Sequence, residues 1–255
     1  MINIKTKEEI KIMQEGGRIL AKVLKELLGN IKPGVSELEI DKLAEKLILQ
    51  NGAEPGFKKV AGYNFSICVS TNDVVVHGIP TDYKFKERDV IGIDCGVFYK
   101  GFHTDMAETI LVSNSKSQIT NPKIDKFLQT GKKALNAGIK KAKAGNRVGD
   151  ISKTIQGIVE GAGYSVVKSL VGHGVGKELH EEPEVPGYLA EKLEKTPKLS
   201  EGVTIAIEVI YNMGKDEVIY KDDDGWTISS GDGSLSGLFE RSIAITENGP
   251  LVLTK

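Results

Sequence analysis

Three apolar runs in this chain each carry a single acid where a strand would bury it, and this pattern limits the fold more than any other feature. The first is Val90-Ile91-Gly92-Ile93-Asp94-Cys95-Gly96-Val97-Phe98. The second is Val203-Thr204-Ile205-Ala206-Ile207-Glu208-Val209-Ile210 and the third Leu238-Phe239-Glu240-Arg241-Ser242-Ile243-Ala244-Ile245. Val- and Ile-rich runs of this length read as strands, and an acid is rarely fully buried without a partner. The first run turns near Tyr99-Lys100-Gly101 and returns through His103, Asp105 and Ala107 to Ile110-Leu111-Val112, which predicts a hairpin. With Tyr99-Lys100 as a two-residue loop, Asp94 falls directly opposite Asp105. Like charges facing each other destabilise a strand pair by about 0.2–1 kcal/mol, and by more on a buried face, unless a cation lies between them. The pair therefore implies a metal ion.

His173, within Val171-Gly172-His173-Gly174-Val175-Gly176, extends the set, because flanking glycines permit close backbone approach and unusual dihedrals. Taken singly, each acid has an ordinary reading as a bulge, an edge residue or one half of a salt bridge; the joint pattern points to ligands. Asp94, Asp105, His173, Glu208 and Glu240 form an oxygen-rich donor set that suits Mn, Fe, Co or Zn. The negative charge of the acids exceeds what one divalent ion cancels, so two ions with bridging carboxylates are expected.

The chain has four histidines. His77 closes Asn72-Asp73-Val74-Val75-Val76-His77-Gly78-Ile79-Pro80, and His180 opens His180-Glu181-Glu182-Pro183. Either is placed to handle protons or bind substrate beside a metal without ligating it, or else is an ordinary loop histidine. His103, two residues before Asp105, shares its strand face and is a supporting group or a spectator. Cys95 should point away from Asp94 into a core, whereas Cys68 stands just ahead of His77 and is a pocket candidate. Two cysteines make neither a disulfide framework nor a zinc finger.

The 255 residues suffice for a full core, as one domain or two fused halves. A net charge of -1 argues against a nucleic-acid partner held by a basic field. No stretch is apolar and long enough to span a membrane, and the first residues lack a signal-peptide core, so a cytoplasmic location is expected. Helical periodicity predicts helices at about 7–28, from the Ser36/Glu39 capping box to Asn51-Gly52, at about 123–143 and at about 149–160, with a polar connector from Ser115 to Pro122. A shift of 111 positions superimposes Lys32 on Lys143, Gly34 on Gly145, Ile40 on Ile151, Ile48 on Val159 and Gly52 on Gly163. This suggests a duplicated helix-helix-sheet unit, in halves of about 1–114 and 115–255, with ligands from both halves meeting on a pseudo-twofold axis.

These residues, together with Ile4-Lys5-Thr6-Lys7-Glu8-Glu9-Ile10, Asp224-Gly225-Trp226-Thr227 and Asn248-Gly249, make the chain resemble the type I methionine aminopeptidases of the pita-bread metallopeptidase family over nearly its whole length. The resemblance implies an α+β pita-bread fold in a single catalytic domain with a central curved antiparallel sheet. It implies that Asp94 and Asp105 bind one divalent ion and His173 and Glu208 the other, with Asp105 and Glu240 bridging. It further implies that Glu208 takes up a proton, that His180 and His77 contact the scissile peptide, and that Phe57, Tyr63, Cys68, Leu179 and Trp226 line a methionine pocket. The expected reaction is removal of the initiator methionine from nascent polypeptide N-termini when the second residue is small, by a monomer, with the ribosome as a further partner. The alternative is a catalytically inactive peptide-binding or ribosome-associated member of the same fold; a proline-specific peptidase is a further rival. The chain departs from the family pattern at Val209-Ile210, where Pro-Met is usual, at Arg241, where His is usual, and at Val60 and Asn64, where an aromatic and a proline are expected. With no zinc-finger spacing ahead of Ile4, the compact bacterial form is the one it is expected to resemble.

Overall fold

The computed structural model describes residues 2–113, 121–221 and 223–255. The expected polar connector lies, up to residue 120, outside the described residues. Helix α1 (Lys7–Asn30) starts on a Thr6/Glu9 capping box and α2 (Glu37–Gln50) on the Ser36/Glu39 box. Helix α3 (Pro122–Ile139) stops short of the expected Lys143, because the amides of Lys141 and Ala142 bond to the carbonyls of Gly138 and Ile139 three residues back, which tightens and ends the turn. Helix α4 (Val148–Gly161) follows.

Strands β1 (Glu54–Pro55), β2 (Ile67–Thr71), β4 (Val90–Tyr99) and β5 (Phe102–Leu111) form the first antiparallel sheet, with β4 between β5 on one side and β1 and β2 on the other. The second is built from β6 (Ser165–Val166), β7 (Val171–Gly174), β8 (Glu181–Pro186), β9 (Thr204–Asn212), β12 (Ser236–Thr246) and β13 (Gly249–Val252), in the order β13-β12-β9-β7-β8, with β6 also on β9. A small third sheet joins β3 (Val74–Val76), β11 (Ile228–Ser230) and β10 (Val218–Tyr220).

Strand alternation decides what faces what. Ile91, Ile93, Cys95 and Val97 enter one core with Leu20, Leu24, Ile40 and Ile48 of α1 and α2. Ile205, Ile207, Val209, Tyr211, Phe239 and Ile243 enter another with Phe127, Ile151 and Ile155 of α3 and α4. Asp94, Glu208 and Glu240 are therefore left on the opposite, inner faces. The two halves repeat locally. Gly34 and Gly145 have φ of 93° and 91°, their amides bond to Phe85 and Leu199 carbonyls, and the N-cap residues Ser36 and Arg147 form equivalent bridges to Lys84 and Lys198.

The hairpin differs from its expected register. Its loop is Lys100-Gly101, with φ of 47° and 89°, because a two-residue turn with both central residues at positive φ needs its glycine inside the turn. Asp94 consequently pairs with Ala107, and Asp105 with Gly96. A shift of two positions preserves the face, so the two acids are diagonal neighbours rather than direct opposites, each across from a small residue. Between the halves, β5 and β12 are stitched by two hydroxyls. Ser242 Oγ accepts from the Asp105 amide (2.8 Å) and donates to its carbonyl (2.9 Å), while Thr109 Oγ1 does the same for Leu238 (2.9 and 2.7 Å). This seam brings Asp105 beside Glu240.

Candidate metal centre and pocket

Glu208 and Glu240 lie directly opposite each other in the β9–β12 pair, a juxtaposition the sequence does not disclose because 23 residues, 213–235, separate the strands. His173 pairs with Ala206, two residues from Glu208 and hence on the same face. Ligand atoms of Asp105, His173 and Glu240 all lie within 4.8 Å of one another, and His173 Nε2 stands 3.5 Å from Glu208 Oε1. Gly172 and Gly174 allow this crowding: a Cβ at either would collide with the Ala206 or the Glu182 carbonyl. All five expected ligands line one cavity of about 100 Å³.

The donor set fits divalent cations on two grounds. Asp94 Oδ1 and Glu240 Oε1 are buried without any hydrogen-bond partner, an arrangement that is costly unless a ligand satisfies them. Burial pushes the Asp94 carboxyl up to about 7. Burial, and then the neighbouring acids, push Asp105, Glu208 and Glu240 well above the usual carboxylate range, as expected of like charges crowded on a buried face. His173 Nδ1 lies 2.8 Å from the Gly174 carbonyl; since a carbonyl only accepts, that nitrogen carries the hydrogen and Nε2 presents a lone pair to the cluster. Burial lowers His173 to about 3, which keeps the ring neutral.

His77 and His180 flank the cluster in the same cavity. The His180 ring lies 4.3 Å from that of His173, and partial desolvation lowers its pKa. His77 holds φ of 56°, a strained value for a residue other than glycine, and burial, then the neighbouring His180 ring, lowers its pKa to about 4. Both rings are therefore neutral near pH 7. His103 is buried against Phe98, with ring centroids 4.7 Å apart, and its amide holds the Gly176 carbonyl at 2.6 Å. It does not line the cavity.

Phe57, Tyr63, Cys68 and Leu179 form an apolar cluster with Val60 and Trp226 beside the acids. Phe57 packs against Gly96, where a Cβ would meet its ring at 2.6 Å, so the glycine opposite Asp105 also admits the pocket wall. Tyr63 donates to the Ile67 carbonyl (2.8 Å) and touches Cys68 Sγ (3.1 Å); burial keeps the phenol and the thiol protonated. Asp224 Oδ1 accepts from the amides of Trp226 (2.7 Å) and Thr227 (2.8 Å), fixing the indole 5.1 Å from the Tyr63 ring.

Val76 also lines the cavity, a residue that sequence reasoning missed because nothing sets it apart from the apolar run Val74-Val75-Val76. Of the departures, Val60 lines the cavity and Asn64 is exposed. Val209 sits in the core under α3 and α4, and Ile210 packs with Val75, Val76, Ala107 and Leu238. Arg241 points away from the ligands: it donates to the Ala107 carbonyl at 3.0 Å and pairs with Glu108 at 2.8 Å, reinforcing the seam.

Residues 11–247 match metallopeptidase family M24. Methionine aminopeptidase of Clostridium perfringens is 41% identical over 254 residues, covering 100% of this chain and 99% of that protein. The crystal structure of methionine aminopeptidase from Thermotoga maritima superimposes with a TM-score of 0.94 at 38% identity over 100% of both chains. Prolidase from Pyrococcus furiosus shares the architecture at lower likeness, with a TM-score of 0.78 and 26% identity, covering 99% of this chain and 65% of its own. The architecture is thus the α+β pita-bread fold expected from the sequence.

Proposed function

The chain belongs to the metallopeptidase family M24, and from that membership and the acid cluster at the foot of an apolar pocket we propose that it is a methionine aminopeptidase releasing the initiator methionine of nascent polypeptides. The observation that carries this reading is the convergence of Asp94, Asp105, His173, Glu208 and Glu240 with Phe57, Tyr63, Cys68, Leu179 and Trp226 around one cavity. We assign two divalent ions to this site, which Asp94, Asp105, His173, Glu208 and Glu240 would hold. Bound there, such ions supply Lewis acidity toward a peptide carbonyl and make water a nucleophile near neutral pH.

The protein's own groups do the rest. Glu208 accepts the proton of the attacking water at a carboxylate oxygen and passes it to the departing amine. Neutral His180 donates a hydrogen bond to the substrate carbonyl as charge develops, and His77 does so near the leaving nitrogen. A free α-amine is drawn to the acidic floor, which restricts cleavage to chain ends. The pocket accepts a thioether, which gains about 0.3–1.5 kcal/mol from each sulfur-aromatic contact, and rejects a charged first residue, whose unpaired burial costs more than such contacts return. Small second residues, a monomeric state, a cytoplasmic location and engagement of chains at the ribosome, without nucleic-acid specificity, complete the proposal; among the described residues no helix is long and apolar enough to cross a membrane. An inactive peptide-binding relative is disfavoured because the full ligand set converges.

The test compares metal-loaded enzyme on Met-Ala-Ser, Lys-Ala-Ser and Glu-Ala-Ser. Cleavage of Met-Ala-Ser alone is expected, and equal cleavage of all three would replace the methionine reading with a broad aminopeptidase.

A further inference from the structure

The turn that carries His180 rests on a buried ion pair for which the proposed chemistry has no use. Lys5 Nζ meets Glu181 Oε2 with each side chain only 4% exposed, although 176 positions separate them. Both carboxylate oxygens and the ammonium make further hydrogen bonds. Asn3 Nδ2 donates to the same carboxylate oxygen (3.1 Å), the Glu178 amide to the other (3.2 Å), and Lys5 Nζ also reaches the Asn3 carbonyl (3.3 Å).

Both partners are anchored to elements that bear ligands. The Lys5 amide donates to the Gly202 carbonyl (2.8 Å) and Ile4 bridges to Val203, at the foot of β9 with its Glu208. Glu181 opens β8 opposite Gly174 of β7, next to His173, and residues 175–180 span the turn between them. Gly176 lies on the pair so closely that a Cβ would collide with Lys5 Cε and Nζ and with Glu181 Oε1. The turn is thereby supported from beneath by the N-terminal segment, while His180 stands exposed at its end.

A buried ion pair gives little net stability relative to apolar groups of the same shape, and removing one partner leaves an uncompensated charge. Its placement under this turn therefore calls for a role in geometry. We propose that Lys5 is a positioning residue for His180, acting through Glu181, so that the N-terminal segment sets the angle at which the imidazole meets the substrate. The inference rests on the role proposed above for His180.

Lys5→Met preserves the stem and removes the charge. On metal-loaded enzyme with Met-Ala-Ser, kcat should fall by about 10-fold to 10²-fold, the scale of a misplaced catalytic group, with KM and bound metal unchanged. Glu181→Gln is read in the same way, and Lys5→Met/Glu181→Gln, which leaves neither charge unpaired, replaces the single variants should they fail to fold. The decisive comparison is made in a His180→Ala background, where removal of the Lys5 charge should cost no further activity, because a residue that acts through His180 has nothing left to position. Equal losses with and without His180 would show a merely structural clamp and overturn the inference, as would unchanged kcat in the Lys5 variants. Wild-type activity in His180→Ala alone would instead overturn the role of His180, and this inference with it.

Discussion

Removing the divalent ions should make the stability of this protein fall with rising pH above about 6.5, and the direction of the carboxyl shifts fixes the sign. Burial raises Asp94 from 3.8 to about 7, and Asp105, Glu208 and Glu240 stand well above their usual range. A carboxyl whose pKa is higher folded than unfolded contributes stability that is complete below its unfolded value and is lost as pH rises through the folded one. His77 and His173, lowered from 6.5 to about 4 and about 3, work oppositely: their contribution is lost as pH falls below 6.5. The histidines, His103 among them, oppose the carboxyls at lower pH; above 6.5 the carboxyls dominate, and the buried thiols of Cys68 and Cys95, also raised, act in the same direction. Each proton retained there by the folded state gives a slope of about 1.4 kcal/mol per pH unit. One or two such protons amount to on the order of 2–4 kcal/mol between pH 6.5 and 8, and Tm should drop by about 3–6 °C per pH unit for each. The assay is thermal unfolding of chelator-treated and metal-loaded protein across that range. Ions displace the protons, so the loaded protein should show no such slope, and Glu240→Gln should flatten that of the metal-free protein. A metal-free Tm that does not change from pH 6.5 to 8 would refute the reasoning.

His180→Ala should lower kcat by about 10²-fold or more while leaving metal content intact; loss of metal would make His180 a ligand. Trp226→Ala should reduce kcat/KM for Met-Ala-Ser without disturbing the metals, and an unaltered value would remove the indole from the pocket. Ser242→Ala orphans the Asp105 amide and carbonyl at the seam, for a loss of about 1–3 kcal/mol per group in denaturant unfolding. An unchanged midpoint would mean that the seam is held by other contacts.

What was legible in the sequence was whatever a local pattern encodes. Strand alternation separated Asp94 from Cys95, and the Ser36/Glu39 box marked α2 to the residue. Paired glycines at 34 and 145, and at 52 and 163, disclosed the repeat through positions that all require positive φ. The hairpin register differs by two positions from the one a Tyr99-Lys100 loop gives, because Gly101 is one of the two turn residues, yet side-chain period two keeps Asp94 and Asp105 on one face. The Glu208/Glu240 pairing, the Ser242 and Thr109 stitching and the Lys5–Glu181 contact join segments far apart in the chain. No local turn chemistry specifies such pairings; the first is set by the register of β9 on β12 within the second half, and the others by how the two halves pack.

The central claim is that the five side chains hold the ions on which methionine release depends, and Asp105→Asn tests it most directly. Bound metal and Met-Ala-Ser turnover should be measured on one preparation whose fold is verified by circular dichroism. The account predicts a folded protein that has lost both its ions and its turnover, since a carboxylate that lies among the other ligand atoms is gone. A folded Asp105→Asn protein that cleaves Met-Ala-Ser at close to the wild-type rate would contradict it.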